Sequence, residues 1–300
     1  MIKTPGSFYT VADENNIRDF KLAGKLRLEG IKATNPVAVG DYVLIDTENN
    51  LILDILPRKN YVLRESANLS KRFHILAANL DLLTLVITFK YPRTSKGFAD
   101  RILATCEAYS VKPLIIFNKK DLLSPDDYKE INEWTSVYEN IGYETLLTSI
   151  LDDSSIENLK SKLLHKTTLF IGHSGSGKSS LLNKIIPGLH LKTREISKKF
   201  EKGKHTTTFA EMFIQPDLKV IDTPGIKEFG MAPMKKYEIG DYFPEILKVK
   251  TFCKFHNCLH INEPGCSVLN AVSKGEIAQW RYENYLNILE SSSYEAWKDE

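Results

Sequence analysis

The strongest constraint on the fold is a junction in the middle of the chain, where the apolar segment TTLFI runs directly into the glycine-rich stretch GHSGSGKS at 172–179. This GxxxxGKS pattern is typical of a loop that leaves a β-strand and opens an α-helix. Its glycines let successive backbone N–H groups face one side, and the helix start adds a positive end, so the loop suits phosphate groups. We predict a P-loop rather than a ligand-free glycine turn, with the binding residues Gly172, His173, Ser174, Gly175, Ser176, Gly177, Lys178, Ser179 and Ser180.

Two residues of this loop have further expected roles. Lys178 should reach the β- and γ-phosphate oxygens, which makes it a candidate catalytic residue, and Ser179 should hold a magnesium ion.

The surrounding sequence alternates apolar strand segments with helical patterns after Asn79. We predict strands at LLTLVITF, PLIIF and YETLL. Helices are predicted near 99–110, 124–142 and 156–164, the second opening at Ser124 with Asp127 in its first turn. This alternation is typical of a mostly parallel, doubly wound α/β sheet.

The two ends of the chain differ from this centre. From about Phe20 to Arg64, short segments such as KLRLEG, DYVLID and LILDIL are separated by turn residues, which favours a small all-β barrel or sandwich. From Pro244 onward strand patterns disappear, and SKGE at 273–276 predicts a capping box that opens a terminal helix.

A second motif, NKKD at 118–121, follows the apolar segment PLIIF. At the carboxyl end of a strand in an open α/β sheet it faces the ligand crevice. Guanine carries adjacent N1–H and N2–H₂ donors that one carboxylate can accept together, whereas adenine has no amine there. Alone, the motif also fits a surface loop, but beside a P-loop it predicts a GTP site. The base-binding residues are Asn118, Lys119 and Asp121, with Thr148 and Ser149 as the loop near the guanine oxygen.

A third motif, DTPG at 222–225, would place Asp222 near magnesium and the Gly225 N–H near the γ-phosphate. Between it and the P-loop lies GKHTTT at 203–208, a candidate switch loop whose Thr207 would complete the magnesium shell. The threonine run equally fits the start of a strand, TFAEMFI.

Ile226 stands where Ras-like enzymes have the glutamine that orients the attacking water, so we take His205 and Thr207 as further candidate catalytic residues. The alternative for His205 is a solvent-exposed loop histidine.

The order of the motifs indicates a circular permutation. A Ras-like chain runs P-loop, first switch, DxxG, NKxD and base loop, whereas here NKKD and the base loop precede the P-loop. All these loops project from one edge of the sheet, so joining the old termini and cutting elsewhere preserves the site.

Three of the four cysteines lie close together, as Cys253, Cys258 and Cys266, with His260 among them. A Cys₃His set is a standard tetrahedral zinc site, and four protein ligands leave no open position for a reactive water. We therefore predict one structural zinc ion, with reduced core thiols as the alternative. Cys106 lies alone in an apolar helical pattern and fits a core position.

Composition adds limits. The 300 residues are enough for two or three domains. A net charge of +2 excludes a strongly basic surface over the whole molecule, of the kind that binds nucleic acid. Local basic clusters at 191–205 and 246–256 fit either RNA contacts or solvated faces. The N-terminal sequence lacks a signal-peptide pattern and no apolar run is long enough to span a bilayer, so we expect a cytoplasmic protein without membrane contact. A monomer is a separate expectation that these observations do not determine.

The combination of NKKD before the P-loop, GKHTTT, DTPG and the CxxxxCxHxxxxxC cluster resembles the RsgA (YjeQ/YloQ) family of circularly permuted GTPases that depend on the small ribosomal subunit. GKLR, VGDYV and ILPRKNYVLR resemble the family's N-terminal OB domain. The resemblance implies an OB-fold RNA-binding domain at 1–67, a circularly permuted α/β GTPase domain at 68–232 and a mainly helical zinc-binding domain at 233–300. Ser176 and Leu82 depart from the residues usual in the family, without removing a phosphate or metal ligand.

The resemblance also implies a function: a GTPase that binds the small ribosomal subunit and its rRNA, assists late maturation, and hydrolyses GTP to GDP faster on the subunit. GTP or GDP with Mg²⁺ and one structural Zn²⁺ would be its cofactors. A GTPase acting on another RNA, and a nucleotide-gated binding module with negligible turnover, are the two alternatives.

Overall fold

The structure is a computed structural model that describes residues 1–4, 8–13, 16–24, 36–65, 73–191, 210–226, 229–231 and 234–292. His205 and Thr207 therefore lie outside the described residues, as do the predicted strand segment KLRLEG and most of the basic cluster at 191–205.

The N-terminal part forms a four-stranded sheet from β1 (Tyr9–Ala12), β2 (Ile17–Leu22), β3 (Val43–Asp46) and β4 (Leu51–Ile55), in the order β1-β2-β4-β3. Strands β1 and β2 pair antiparallel, as do β3 and β4, whereas β2 and β4 run parallel. Val11, Phe20 and Ile52 are among the side chains that form its small core. The all-β character of this part is as the sequence predicts, but the alternation begins at β1, earlier than Phe20.

A hairpin of β5 (Tyr61–Glu65) and β6 (Phe73–Ala78) leads to the central six-stranded sheet. The sheet contains β7 (Leu82–Ile87), β8 (Pro113–Phe117), β9 (Glu144–Leu147), β10 (Thr167–Gly172), β11 (Glu211–Gln215) and β12 (Leu218–Asp222), in the order β11-β12-β10-β7-β8-β9. All neighbours are parallel except β11 and β12. β7, β8 and β10 are almost entirely buried, because helices cover both faces of the sheet.

Four helices cover this sheet: α1 (Lys96–Ala108), α2 (Pro125–Ile141), α3 (Asp153–Leu163) and α4 (Lys178–Ile185). Buried residues of α1 and α2 share one apolar cluster, and those of α3 and α4 share another. Helix α2 begins as predicted, with a capping box between Ser124 and Asp127, and ends at Gly142 in a left-handed conformation.

The connectivity explains the unusual motif order. The chain leaves the central strand β10 through α4 and then forms β11 and β12 on one side. The strands on the other side, β7, β8 and β9, come earlier in the chain, and α3 connects them to β10. The P-loop strand is thus in the middle of the sheet but late in the sequence.

The C-terminal part contains a 3₁₀ helix at Lys236–Tyr242 and the helices α5 (Pro244–Lys250), α6 (Ser267–Ser273) and α7 (Gln279–Ser291). The predicted capping box at 273–276 is wrong. Gly275 adopts a φ of 75° and donates its N–H to Val272 O at 2.9 Å, so this segment ends α6. Helix α7 begins only at Gln279, after Ala278, without a side-chain cap.

None of the helices within the described ranges combines the length and the hydropathy that a membrane-spanning segment needs.

Candidate nucleotide site and metal cluster

The nucleotide-site loops follow the carboxyl ends of four parallel strands of the central sheet. NKKD follows β8, Thr148 and Ser149 follow β9, the P-loop follows β10, and the DTPG segment follows β12. Because these strand ends lie at one edge, the fold brings the motifs together as the sequence predicts.

The P-loop backbone requires glycine at several positions. Gly175 and Gly177 have φ angles of 85° and 95°, in the region that side chains disfavour. A Cβ on Gly177 would lie 2.4 Å from Asn118 Nδ2, and one on Gly172 would lie 2.5 Å from Val86 O. The loop is therefore packed tightly against the ends of β7 and β8.

Lys178 is folded back onto this loop. Its Nζ donates to Gly172 O at 2.8 Å and to His173 O at 3.0 Å, and the side chain is buried. Burial lowers the pKa of Lys178 to about 8, an effect that the nearby Asp222 carboxylate opposes. A phosphate group offers the charged acceptor that these two neutral carbonyls lack.

Asp222 lies at the end of β12 with its carboxyl group almost fully buried. Burial raises the pKa of Asp222 to about 6, partly offset by Lys178. Within the described residues, its Oδ1 has no hydrogen-bond partner. A buried carboxylate oxygen without a donor suits a magnesium ion or a water bound to it, so the residues present fit that metal.

Asn118 joins the base end of the site to the phosphate end. Its Nδ2 donates to Ser176 O at 2.9 Å, and its Oδ1 accepts from Thr148 Oγ1 at 3.0 Å. Lys119 adopts a left-handed conformation and donates from Nζ to Gly175 O at 2.7 Å. Three loops from three strands are thereby fixed relative to one another.

Asp121 is exposed, and the Ser149 hydroxyl donates to its Oδ1. Ser149 is itself buried, and its backbone N–H is bonded to Ser155 Oγ at 3.2 Å. The Ser149 hydrogen bond therefore orients the Asp121 carboxylate, which stays exposed to a ligand. Recognition of two adjacent N–H groups requires both properties.

The DTPG segment lies directly on the P-loop. A Cβ on Gly225 would be 2.4 Å from Ser174 Cα, so only glycine allows this approach. The Ile226 N–H donates to Gly172 O at 3.2 Å, and the Ile226 side chain is buried in the apolar cluster of α1 and α2. Ile226 is thus directed into the core and offers no polar group to a water, in agreement with the expectation from sequence.

One P-loop side chain has contacts that sequence reasoning missed. His173 Nδ1 lies 3.0 Å from Ile226 O, and its ring stacks on Phe98 of α1 with centroids 3.9 Å apart. The ordinary spacing of a P-loop gives no signal for either contact. The one sequence feature that could have pointed to these contacts is the histidine at the second position of the loop.

The predicted metal ligands converge. One ligand atom from each of Cys253, Cys258, His260 and Cys266 lies within 4.8 Å of the others. Cys253 Sγ is 3.6 Å and Cys266 Sγ is 3.4 Å from His260 Nδ1, and the two sulfurs are 3.9 Å apart. Zinc–ligand bonds of about 2.3 Å to sulfur and 2.0 Å to nitrogen give tetrahedral edges of about 3.8 and 3.5 Å, so the spacing fits zinc.

Two features define the class of protein. A P-loop follows the central strand of a parallel sheet, and a guanine-type NKKD loop from an earlier strand is bonded to it. The chain is a circularly permuted P-loop GTPase. The RsgA GTPase family model matches residues 55–232 and the RsgA N-terminal domain model matches residues 1–51, so the chain belongs to the RsgA GTPase family. It is a GTP hydrolase, and membership implies GTP and GDP with Mg²⁺ as its ligands.

Curated relatives and solved structures agree with this assignment. A Christiangramia forsetii protein named small ribosomal subunit biogenesis GTPase RsgA is 46% identical, with 96% of this chain and 94% of the relative covered. A Bacteroides thetaiotaomicron protein, RsgA 2, is 48% identical, with 97% and 95% covered. The crystal structure of YjeQ from Thermotoga maritima matches with a TM-score of 0.75 and 34% identity, covering 96% of this chain and 95% of that one. YloQ, described as a circularly permuted GTPase, matches with a TM-score of 0.69 and 30% identity, covering 96% and 92%.

Proposed function

We propose that this chain binds the small ribosomal subunit and assists its late maturation, and that the subunit stimulates GTP hydrolysis. The observation that carries the proposal is the near-complete overlap with relatives named small ribosomal subunit biogenesis GTPases, at 46–48% identity. The assembled guanine and phosphate loops supply the chemistry that such a function needs.

Within the site, the proposal assigns a role to each group. Asp121, with Asn118, Lys119, Thr148 and Ser149, binds guanine, and residues 172–180 cradle the phosphates, with Lys178 at the β- and γ-oxygens. Ser179, Asp222 and Thr207 hold magnesium, and the Gly225 N–H meets the γ-phosphate. The exposed Asp121 carboxylate supports the guanine assignment, and Asp222 Oδ1, which has no hydrogen-bond partner among the described residues, supports the magnesium assignment.

The N-terminal domain, residues 1–67, is proposed to be an OB-fold that contacts rRNA. Phe8 is 47% exposed beside Arg18 and Lys21, and Lys21 Nζ lies 5.4 Å from the Phe8 ring centroid. An exposed aromatic ring next to cations is the usual means of holding an unpaired base and its phosphate.

The C-terminal domain, residues 233–300, is proposed to hold one structural zinc ion and to meet rRNA on the other side of the GTPase domain, residues 68–232. Phe252 and Phe255 are exposed next to the cysteine cluster, and Lys254 Nζ lies 5.5 Å from the Phe255 ring centroid. Zinc would fix this surface by joining Cys253 to Cys266. The protein is proposed to act as a monomer in the cytoplasm, where ribosomal subunits mature.

The test is GTP turnover with and without purified small subunits, together with co-sedimentation in the presence of a non-hydrolysable GTP analogue. We expect binding to the small subunit and at least a tenfold rise in turnover. Stimulation by another RNA, such as tRNA, but not by the subunit would contradict the proposal. Large subunits serve as the matched control and should neither bind nor stimulate.

A further inference from the structure

His173 connects the P-loop to the segment that follows DTPG. Its Nδ1 lies 3.0 Å from the carbonyl oxygen of Ile226. A carbonyl oxygen only accepts, so Nδ1 carries the hydrogen and donates it. Burial lowers the pKa of His173, which favours the neutral ring in which this one nitrogen is the donor.

The ring of His173 is fixed from its other side. It stacks on Phe98 of α1, with centroids 3.9 Å apart and planes 25° apart. Phe98 is buried in the apolar cluster that also contains Ile226. The imidazole therefore has a defined orientation, and its Nδ1–H is aimed at Ile226 O.

The backbone of Ile226 is hydrogen-bonded at two points, to the last residue of β10 and to the first P-loop residue after it. The Ile226 N–H donates to Gly172 O at 3.2 Å, and the Ile226 carbonyl accepts from His173. Between them, these bonds set the path of the backbone just after Gly225, which already packs on Ser174. The Ile226 side chain is buried and apolar, and among the described residues His173 is the polar side chain that contacts the Ile226 backbone.

We propose that His173 is a positioning residue for GTP hydrolysis: its Nδ1–H holds the Ile226 carbonyl, so that the Gly225 N–H is presented to the γ-phosphate, and Phe98 holds the ring. The proposal rests on the role assigned above to the P-loop and DTPG. The His173 side chain acts through the backbone of the DTPG segment, separately from the backbone N–H groups with which the P-loop cradles the phosphates. Loss of the His173 hydrogen bond should therefore lower the rate of the chemical step more than it lowers nucleotide affinity.

Two substitutions separate the hydrogen bond from the stack. His173→Phe keeps an aromatic ring against Phe98 but removes the donor. His173→Asn keeps a donor, because the asparagine Nδ2 occupies nearly the place of Nδ1, but removes the ring. Turnover is measured without ribosomal subunits, over a range of GTP concentrations, alongside GDP affinity and thermal unfolding.

We expect His173→Phe to lower kcat about five- to tenfold, the effect of one lost hydrogen bond, with KM, GDP affinity and Tm nearly unchanged. His173→Asn should retain a larger share of kcat than His173→Phe because it keeps a donor, while Tm falls by about 2–4 °C through loss of the stack. Phe98→Leu, a matched control on α1, should behave like His173→Asn in stability.

The proposal is overturned if His173→Phe retains full kcat, or if kcat in all three variants simply follows their stability. Lys178→Ala distinguishes this failure from that of the site assignment. If Lys178→Ala keeps normal turnover, the P-loop assignment itself is wrong. If Lys178→Ala is inactive and His173→Phe is fully active, only the role of His173 fails.

Discussion

Arg281 Nη1 of α7 donates to Asp100 Oδ1 of α1 at 2.6 Å, and neither side chain is more than 1% exposed. The opposite edge of the guanidinium bonds both carboxylate oxygens of Glu245, at 2.6 and 3.1 Å. Asp100 also accepts from Asn284 Nδ2 and Tyr138 Oη. Helix α1, whose Phe98 stacks on the P-loop histidine, is thus joined to both α5 and α7 of the C-terminal part by a buried, hydrogen-bonded ion cluster.

Replacing Arg281 with Ala should lower the free energy of unfolding by about 3–5 kcal/mol, since it leaves the Asp100 carboxylate buried without its cation. A urea titration followed by tryptophan fluorescence checks this, because Trp134 and Trp280 stack at 6.1 Å next to the cluster. Arg101→Ala is the control. Within the described residues, Arg101 bonds the Ser291 hydroxyl at a partly exposed position, so its loss should cost less than about 1 kcal/mol. Equal losses in the two variants would contradict the prediction.

Replacing Asp121 with Asn should reduce GTP affinity more than tenfold, because an amide does not accept two N–H bonds as a carboxylate does. The amide can instead donate to a base with a carbonyl at C2, so xanthosine triphosphate should lose far less affinity. Calorimetry with both nucleotides measures the change. Asp126→Asn, at the exposed start of α2, is the control and should bind GTP normally. If unmutated protein bound ATP as well as GTP, the guanine assignment would fail.

Short-range patterns predicted most of the sheet and the motif loops that it brings to one edge. The P-loop, NKKD, DTPG and the cysteine cluster are contiguous segments whose chemistry depends on residue type and spacing, so the sequence carries their signals directly. The parallel sheet also follows from alternating strands and helices. Contacts between distant segments had no such signal: Asp100 and Arg281 are 181 residues apart, and His173 and Ile226 are 53 apart. The capping box at 273–276 failed because the left-handed Gly275 ends α6 there.

Zinc should be present at about one equivalent, and its removal by a chelator should loosen residues 253–266 while GTP binding survives at least in part. Metal analysis of Cys258→Ser should show zinc lost. Cys106→Ser is the matched control, because Cys106 is a buried core thiol that is not one of the four clustered ligands, and its substitution should leave the zinc content unchanged. Freshly purified protein without zinc would refute the assignment.

Affinity for the small subunit should fall steeply as salt rises, because rRNA contacts made through phosphates release counterions. Removing one contributing cation, as in Lys21→Ala or Lys254→Ala, should weaken binding modestly. It should also lower the slope of log affinity against log salt concentration by about one, because about one fewer counterion is released. Lys129→Ala, at an exposed position of α2, is the control and should leave the slope unchanged. A salt-independent affinity would indicate a protein contact instead.

GTP hydrolysis by the isolated protein should be slow and should rise strongly on the small subunit. The residue after the DTPG glycine is Ile226, which is buried and apolar, so the free protein lacks the side chain that orients the attacking water in Ras-like enzymes. His205, in the candidate switch loop outside the described residues, is the group that we expect to supply this function on the small subunit.

The decisive comparison measures stimulated turnover and subunit binding for His205→Ala against His190→Ala. His190 is exposed shortly before the same segment, so its substitution controls for the loss of an imidazole near the subunit. Retained binding with lost stimulation in His205→Ala alone supports the catalytic role, since the protein would then bind the subunit but lack the group that positions the water. Full stimulation in His205→Ala would show that another residue, or the subunit itself, orients the water.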